Sequence, residues 1–166
     1  MAKTNLTAQR LRELLHYDPE TGIFTWGVSH RNGIHCGRQA GCISKHIGYR
    51  LIRIDGILYL AHRLAWIHST GVFPSAEIDH INGNRADNRL CNLRDVSRAI
   101  NSNNSRIARS SNKSSGLLGT YKVGNSFCAH IMVSGVTKHL GSFKTKELAH
   151  TAYLEAKRKL HVGSTI

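Results

Sequence analysis

Residues 77–95 constrain this chain more than any other stretch, because turn-forming and strand-forming residues alternate there around an adjacent Asp79 and His80. The Asp-His pair ends a short apolar strand, and Asn82-Gly83 then supplies the left-handed backbone that a tight turn requires. A polar return strand and a short helix follow. The pattern predicts a strand-turn-strand-helix unit that can hold one divalent metal.

The return strand and the helix place four further side chains. Leu90 and Leu93 are expected to face the core, so Asn92 turns toward the first limb of the unit. Asn101 lies one turn into the helix and can face back toward the Asp-His pair.

This segment resembles the ββα-metal core of the HNH endonucleases, in the form found in phage-borne homing enzymes. The pattern DH-x-(D/N)-G-N-x3-N-x3-NLR-x6-N is matched from Asp79 to Asn101. The agreement of several polar positions at fixed spacing is a specific signal, whereas an isolated Asp-His pair carries little information.

The resemblance implies a role for each matching residue. His80 would be the general base, since neutral imidazole can take a proton from water near pH 7. Asp79 and Asn101 would bind one divalent metal, Mg²⁺ or Mn²⁺, because these hard cations prefer oxygen ligands. Asn92 would pin the loop that orients His80. Asn101 stands where the family name has its final histidine, which lowers the expectation of a tight zinc site.

A structural interpretation stands beside the catalytic one. Asn-Gly-Asn runs are common in surface turns, and a single Asp-His pair is more often structural than catalytic. Asn88 and the arginines of the segment suit either phosphate contact or a solvated surface. The arginines proposed for DNA contact are Arg85, Arg89 and Arg94.

The charge of the chain favours a polyanionic partner. Lys and Arg number 23 against 10 Asp and Glu, a formal net charge of +13. The net charge is +5 over residues 1–75, zero over 76–105 and +8 over 106–166. The acidic residues therefore concentrate where a metal would have to bind, which a ribosomal-type or merely soluble basic protein would not show.

Residues 1–75 are predicted to form an α/β buttress for the core. Asp55-Gly56 is a strong signal for a two-residue hairpin, and Gly71 is expected to end a helix. The predicted elements are a helix capped by Thr7, a strand at 23–26, hairpin strands at 48–54 and 57–60, and a helix at 61–70.

Two features of this N-terminal region allow a functional and a structural interpretation. The basic, Gly-rich loop of residues 30–41 can follow a phosphate backbone or simply connect its neighbours. The segment AHRLAW, from Ala61 to Trp66, resembles the sequence that precedes the Asp-His strand in phage HNH proteins. His62 within it is expected to be a buried scaffold histidine, with a second active-site group as the alternative.

Residues 97–116 are rich in Ser, Asn, Arg and Lys, and apolar side chains nearly vanish toward their end. Such a stretch cannot bury enough apolar surface to fold alone, so beyond the core at 76–105 we predict a linker at 106–116. Its basic residues can follow a DNA groove, or the linker can be a solvated tether. These residues are Arg106, Arg109 and Lys113.

Residues 117–166 are predicted to form three short strands and a helix capped by Thr145. This unit resembles the Apetala-type (ethylene-response-factor) DNA-binding domain through GTYKV, HLGSFKTKELAHTAY and the closing helix. In that fold the sheet enters the major groove. Phe127 stands where a tryptophan is usual and the strands lack arginine, so phosphate contact is better supported than base readout. The candidates for contact are Lys122, Asn125, His130, Lys138 and His139.

The cysteines show no Cys-x-x-Cys spacing, so we expect buried free thiols rather than a disulfide framework or a zinc knuckle. An irregular metal site built from Cys36 and Cys42 with His35 and His46 is a weaker alternative. No apolar run approaches membrane-spanning length and no signal-peptide core is present, which predicts an intracellular protein. If the gene is of phage origin, that location is the cytoplasm of an infected bacterium. The cysteines are Cys36, Cys42, Cys91 and Cys128.

The sequence thus predicts an α+β protein that acts as a metal-dependent homing-type endonuclease on double-stranded DNA, with no membrane partner. One active site per chain predicts a nick by a monomer, and a double-strand break requires a dimer. The main alternative is a non-catalytic DNA-binding or phage packaging accessory protein, and a weaker one is an RNA-binding basic protein. A pure binder has no need of all four motif residues together. These are Asp79, His80, Asn92 and Asn101.

Overall fold

The structure, a computed structural model, describes residues 6–29 and 35–165. The chain divides into two compact units, residues 1–97 and 98–166. Helices and small antiparallel sheets are mixed, which confirms the predicted α+β class. The division falls within the segment predicted as the core, and the four-part organisation proposed above stays a prediction. No helix in the described part of the chain is long and apolar enough to cross a membrane.

The described part of the first unit is built from short antiparallel sheets and two helices. Its elements are α1 (Ala8–Leu14), β1 (Leu15–Asp18), β2 (Ile23–Trp26), β3 (Cys42–Ile43), β4 (Arg50–Ile54), β5 (Ile57–Leu60), α2 (Ala61–Thr70), β6 (Glu77–His80) and β7 (Leu93–Val96). β1 pairs with β2, β4 lies between β3 and β5, and β6 pairs with β7. A 3₁₀ turn at Leu90–Asn92 leads into β7.

Local signals account for the boundaries of several of these elements. The Thr7 side chain accepts a hydrogen bond from the backbone N–H of Arg10 and so caps α1, as predicted. Asp55 (φ 47°) and Gly56 (φ 81°) form the predicted turn between β4 and β5. Gly71 ends α2 in the left-handed conformation at φ 84°.

Strand β1 was not predicted, because the apolar pattern of α1 continues into Leu15. Leu15 is fully buried, but it begins a strand that pairs with β2, with Leu15 opposite Trp26. The described end of the loop at 30–41 runs beside β2, since Arg38 accepts a hydrogen bond from the backbone of Trp26 and Ala40 donates one to Phe24. Residues 30–34 lie outside the described residues.

The second unit contains the predicted three-stranded sheet and C-terminal helix. Its elements are α3 (Arg98–Asn103), β8 (Thr120–Val123), β9 (Ser126–Val133), β10 (Val136–Phe143) and α4 (Lys146–Leu160). The strand order is β8-β9-β10, and a bulge interrupts β10 between His139 and Gly141. Helix α4 begins after Thr145, whose side chain accepts a hydrogen bond from the backbone of Leu148.

The apolar pattern of α4 predicts one buried face that includes Leu148, Ala149, Ala152, Tyr153, Ala156 and Leu160, and the structure differs from it. Ala149 and Tyr153 pack against the sheet, but Leu148 is 55% exposed and Leu160 is 38% exposed. Lys157 is buried instead, with its Nζ donating to the carbonyl of Ser105 and lying 5.6 Å from the centre of the Tyr153 ring. Burial, aided by the positive charge of Arg106, lowers the pKa of Lys157 to about 8.

Candidate active site

The Asp-His pair lies at the end of β6, where the strand is buried. Asp79 is 5% exposed and His80 is 4% exposed. In the β6–β7 pair, Asp79 stands opposite Arg94 and His80 stands opposite Leu93. The short apolar strand and its return strand thus place two polar side chains in a protein interior, where burial of such groups requires partners.

His80 has such a partner in Asn88, which is 1% exposed. The Nε2 of His80 lies 3.2 Å from the Oδ1 of Asn88. With an amide oxygen facing the ring, Nε2 carries the proton, so Nδ1 is the nitrogen that has the lone pair. Asn88 therefore fixes both the orientation and the tautomer of His80. A phosphate contact or a solvated role, the two interpretations of Asn88 from the sequence, does not fit so buried a side chain.

Asn92 connects the two limbs of the loop between β6 and β7. Its Oδ1 accepts a hydrogen bond of 2.9 Å from the backbone N–H of Asn82. Its Nδ2 donates one of 2.8 Å to the backbone carbonyl of Asp87. The Asn92 side chain thus closes the loop that carries Asn88, at the position for which a loop-pinning role was predicted.

The imidazole of His80 lies among other rings. The ring of His62 meets it nearly edge-on, at 5.0 Å between centroids and 83° between planes, and Tyr49 lies 5.8 Å away. His62 is 5% exposed, and burial lowers its pKa to about 3, with the charges of His80 and Arg63 acting in the same direction. His62 is therefore neutral at pH 7. This placement agrees with a scaffold histidine, and it also puts His62 next to the candidate base.

The pKa of His80 is lowered as well. Burial is the largest cause, and it outweighs the hydrogen bond with Asn88 and the carboxylates of Asp79 and Asp87, which favour the protonated form. The lowered pKa keeps the imidazole neutral at pH 7. A neutral imidazole is the form that can accept a proton from water.

Arg94 is bound to the carboxylate of Asp79. Both its Nε and its Nη2 donate to Oδ2, at 2.9 and 2.7 Å. The pair joins the two strands of the β6–β7 sheet, and it neutralises a carboxylate whose side chain is only 6% exposed. Arg94 was proposed as a DNA-contacting residue; the structure places it on the candidate metal ligand.

The β1–β2 hairpin supports the segment that carries Asn88. The hydroxyl of Tyr17 donates to the backbone carbonyl of Asn88 at 2.7 Å, and the carbonyl of Pro19 accepts from Leu90. Gly22 of the hairpin lies so close to this segment that a Cβ at Gly22 would stand 2.4 Å from the backbone nitrogen of Arg89. The hairpin was not expected to reach the site; the only sequence signal for Asn88 was its fixed place in the motif.

Taken singly, the two predicted metal ligands suit a hard divalent cation in their chemistry, since Asp79 offers a carboxylate oxygen and Asn101 an amide oxygen. Asp79 belongs to the first unit and Asn101 to α3 of the second. Within the described ranges, 6–29 and 35–165, no group of three or more His, Cys, Asp or Glu side chains could hold a metal. That finding gives no support to a site at Cys36, Cys42, His35 and His46.

The other arginines of the motif have partners within the first unit. Arg85 lies 5.0 Å from the centre of the Tyr49 ring and donates to the carbonyl of Ile47 at 3.0 Å. Arg89 forms an ion pair with Asp87 at 2.6 Å and is 45% exposed. Both remain candidates for phosphate contact.

The candidate DNA-binding residues of the second unit do not share one surface. His130 and His139 lie opposite each other on β9 and β10, whereas Lys122 and Lys138 stand opposite the core-facing Phe127 and Ile131. Directly opposed residues point to the same side of a sheet, so the two lysines lie on the side of α4. Asn125 is in the β8–β9 turn, and the Arg106 side chain donates to the hydroxyl of Thr165. Arg109 and Lys113 line a pocket that also contains Tyr121.

The cysteines are free, as expected, but three of them are not buried. Cys36, Cys42 and Cys91 are exposed, and Cys128 is buried. Cys42 begins the edge strand β3, and the Sγ of Cys36 donates to the carbonyl of Gly27. The expectation of buried thiols is correct for Cys128 and wrong for the other three.

A family model described as HNH endonuclease matches residues 59–103 of this chain. The matched segment runs from the end of β5 through α3 and includes Asp79, His80 and Asn92. The match supports a nuclease of the HNH type, a class that acts on DNA and generally uses a divalent metal. No curated protein and no solved structure matched the chain.

Proposed function

We propose that this chain is a metal-dependent DNA endonuclease of the homing type, which nicks one strand as a monomer and leaves 5′-phosphate and 3′-hydroxyl ends. The observation that carries the proposal is the neutral, buried His80 at the end of β6, held by Asn88 within a loop that Asn92 closes. A histidine held in one tautomer beside a carboxylate is suited to proton transfer from water.

The residues around His80 prepare it for that transfer. Asn88 accepts from Nε2–H, which leaves Nδ1 as the nitrogen that takes the proton of the attacking water. His62 and Tyr49 pack against the ring, limit its rotation and reduce the water around it. When the proton is accepted, Asp79 and Asp87 favour the resulting positive charge.

Asp79 and Asn101 would hold the divalent metal. When bound, the metal stabilises the additional negative charge that develops on the phosphate and on the departing 3′ oxygen. Arg94 fixes the Asp79 carboxylate from one side through Oδ2. Replacing Arg94 is therefore expected to weaken the β6–β7 sheet and to remove the ion pair that neutralises Asp79.

The charge of the second unit supports double-stranded DNA as the partner. Residues 98–166 hold eleven Lys and Arg against two Glu, and both Glu lie on α4. Such an excess provides the phosphate contacts that dominate affinity for DNA and make it depend on salt.

Cleavage of supercoiled plasmid in Mg²⁺ or Mn²⁺ tests the proposal. The wild type should convert plasmid to open circles only when metal is present, and His80→Ala should lower the rate by roughly 10²- to 10⁴-fold. His16→Ala is the matched control, because it removes an exposed histidine of the same unit. Direct linearisation would show that two chains act together, and equal rates for wild type and His80→Ala would remove His80 as the base.

One observation favours a second function, a non-catalytic DNA-binding protein. Arg94 already satisfies the Asp79 carboxylate within the protein, so the buried acid has a structural role that needs no metal. If the wild type binds the plasmid but never cuts it in either metal, this second function replaces the first.

A further inference from the structure

The sheet of the second unit has one face covered by α4 and one open face. Ala129 and Ile131 of β9 point toward the core beneath α4, so the alternate residues of β9 and their cross-strand partners form the open face. Tyr121, on this face, is 40% exposed. The residues on this side of the sheet are Tyr121, Val123, Ser126, Cys128, His130, Met132, Thr137, His139 and Ser142, of which only Cys128 is buried.

Three rings on the open face support one another. Tyr121 stacks on His130 at 4.9 Å between centroids and 27° between planes. The Tyr121 hydroxyl and the Nδ1 of His139 both lie 3.3 Å from the Nε2 of His130. Burial, followed by the positive charge of His139, lowers the pKa of His130. Tyr121 is thus held by a neutral ring and presents its remaining surface to solvent.

A pocket of about 580 Å³ opens beside this cluster. Its lining includes Tyr121 and His130 together with Arg109 and Lys113. Its volume lies within the range of about 300–1,000 Å³ that is usual for sites that take small organic ligands. The pocket therefore combines an aromatic wall with two cationic side chains.

The segment that carries the two cationic side chains is held in place by hydrogen bonds. The Nδ2 of Asn112 donates to the carbonyls of Leu117 and Thr120 at 2.9 and 2.8 Å, and Ser115 donates to Thr120 at 2.8 Å. This part of the predicted linker is tied to β8, so Arg109 and Lys113 extend from an ordered segment. An ordered segment reduces the entropy lost when a ligand is bound.

The open face is poorly suited to reading a duplex. None of its residues is Lys or Arg, the side chains that supply most contacts to the major groove, and Lys122 and Lys138 lie on the side of α4. An exposed aromatic ring with cations nearby is instead the arrangement that binds unpaired bases by stacking and their phosphates by charge.

We propose that this pocket binds one unpaired nucleotide of single-stranded DNA, with the base stacked on Tyr121 and the phosphate held by Arg109 and Lys113. This site is independent of the proposed nuclease activity. It would allow the second unit to hold a strand end or a gap that duplex-binding surfaces do not recognise.

The test is the affinity of the full-length protein, in EDTA so that no metal-dependent cleavage occurs, for a labelled oligothymidylate and for a labelled duplex of equal length. Tyr121→Ala should weaken binding of the single strand by roughly 5- to 150-fold, the range for loss of one base-aromatic stack. Tyr121→Phe should retain most of the affinity, because the ring remains. Binding of the duplex should change less than twofold in both variants.

Val123→Ala is the matched control, since Val123 lies on the same open face and is 51% exposed but does not line the pocket. A fluorescent base analogue in the oligonucleotide should lose emission on binding to the wild type and keep it with Tyr121→Ala. The proposal is overturned if Tyr121→Ala weakens the two DNAs equally, if it changes neither affinity, or if Val123→Ala has the same effect. A failure of plasmid cleavage would leave this proposal standing, because the binding assay needs no metal.

Discussion

Replacing His62 by phenylalanine is expected to make the first unit more resistant to acid than the wild type. His62 is 5% exposed, and burial lowers its pKa to about 3. Its pKa in the unfolded chain is about 6.5. Between these two values the unfolded chain binds a proton that the folded chain does not, so stability falls as the pH falls below 6.5.

The size of the effect follows from the two pKa values. Each pH unit below 6.5 lowers the free energy of unfolding by about 1.4 kcal/mol, until the pKa of His62 in the folded chain is reached. From pH 7 to pH 5 the contribution of His62 therefore amounts to about 2 kcal/mol. This is a large share of the 5–15 kcal/mol that usually stabilises a folded protein.

Urea unfolding at pH 7, 6 and 5, followed by tryptophan fluorescence, measures this loss. Both tryptophans, Trp26 and Trp66, lie in the first unit, so their emission reports on that unit. The free energy of unfolding should fall less steeply with acid in His62→Phe than in the wild type, by about 2 kcal/mol between pH 7 and pH 5. His16→Phe, which removes an exposed imidazole, should follow the wild type. Parallel pH profiles for wild type and His62→Phe would refute the assignment of His62 as a buried, neutral histidine.

Three further changes have defined outcomes. The second unit should gain stability from pH 8 to 10, because folding lowers the pKa of Lys157 to about 8 and the unfolded chain keeps the proton. Lys157→Met should lack this gain when urea unfolding is followed by the NMR signal of the Ile131 methyl groups. A Lys157→Met profile that matches the wild type would contradict the burial of this lysine. Gly22→Ala should destabilise the first unit by about 1–3 kcal/mol more than Gly37→Ala, because both glycines have positive φ but only Gly22 faces a backbone clash. Tryptophan-monitored unfolding distinguishes these two variants, and equal losses would refute the close contact. Asn92→Ala should lower the plasmid nicking rate and cost about 1–3 kcal/mol of stability, since two loop hydrogen bonds of a buried side chain are lost. A variant as active as the wild type would show that the loop needs no such closure.

Much of the fold is encoded in local signals and could be predicted. Asp55-Gly56 has backbone preferences that few other dipeptides share, so the β4–β5 hairpin follows from two residues. Thr7 and Thr145 mark the starts of α1 and α4 because a side-chain oxygen there satisfies a backbone N–H. The strand position of the Asp-His pair follows likewise from the apolar residue before it and the turn after it.

The surroundings of the candidate site could not be predicted, because they depend on contacts between distant parts of the chain. Tyr17 reaches the backbone of Asn88 across 71 residues of sequence. Arg94 meets Asp79 through strand register, which a motif does not state. Lys157 is buried by the geometry of α4, whereas the apolar pattern alone assigns a lysine to solvent. Propensity and spacing identify which residues matter here, and tertiary packing decides what each of them touches.

The central claim, hydrolysis of a phosphodiester by water at the His80 site, is tested most directly by cleaving duplex DNA in water enriched in oxygen-18 with Mg²⁺ or Mn²⁺. Mass spectrometry of the products should find one labelled oxygen on the new 5′-phosphate and none on the 3′-hydroxyl, and His80→Ala should yield little labelled product. A label on a 3′-phosphate, cleavage without a label, or equal labelled product from His80→Ala would contradict the account.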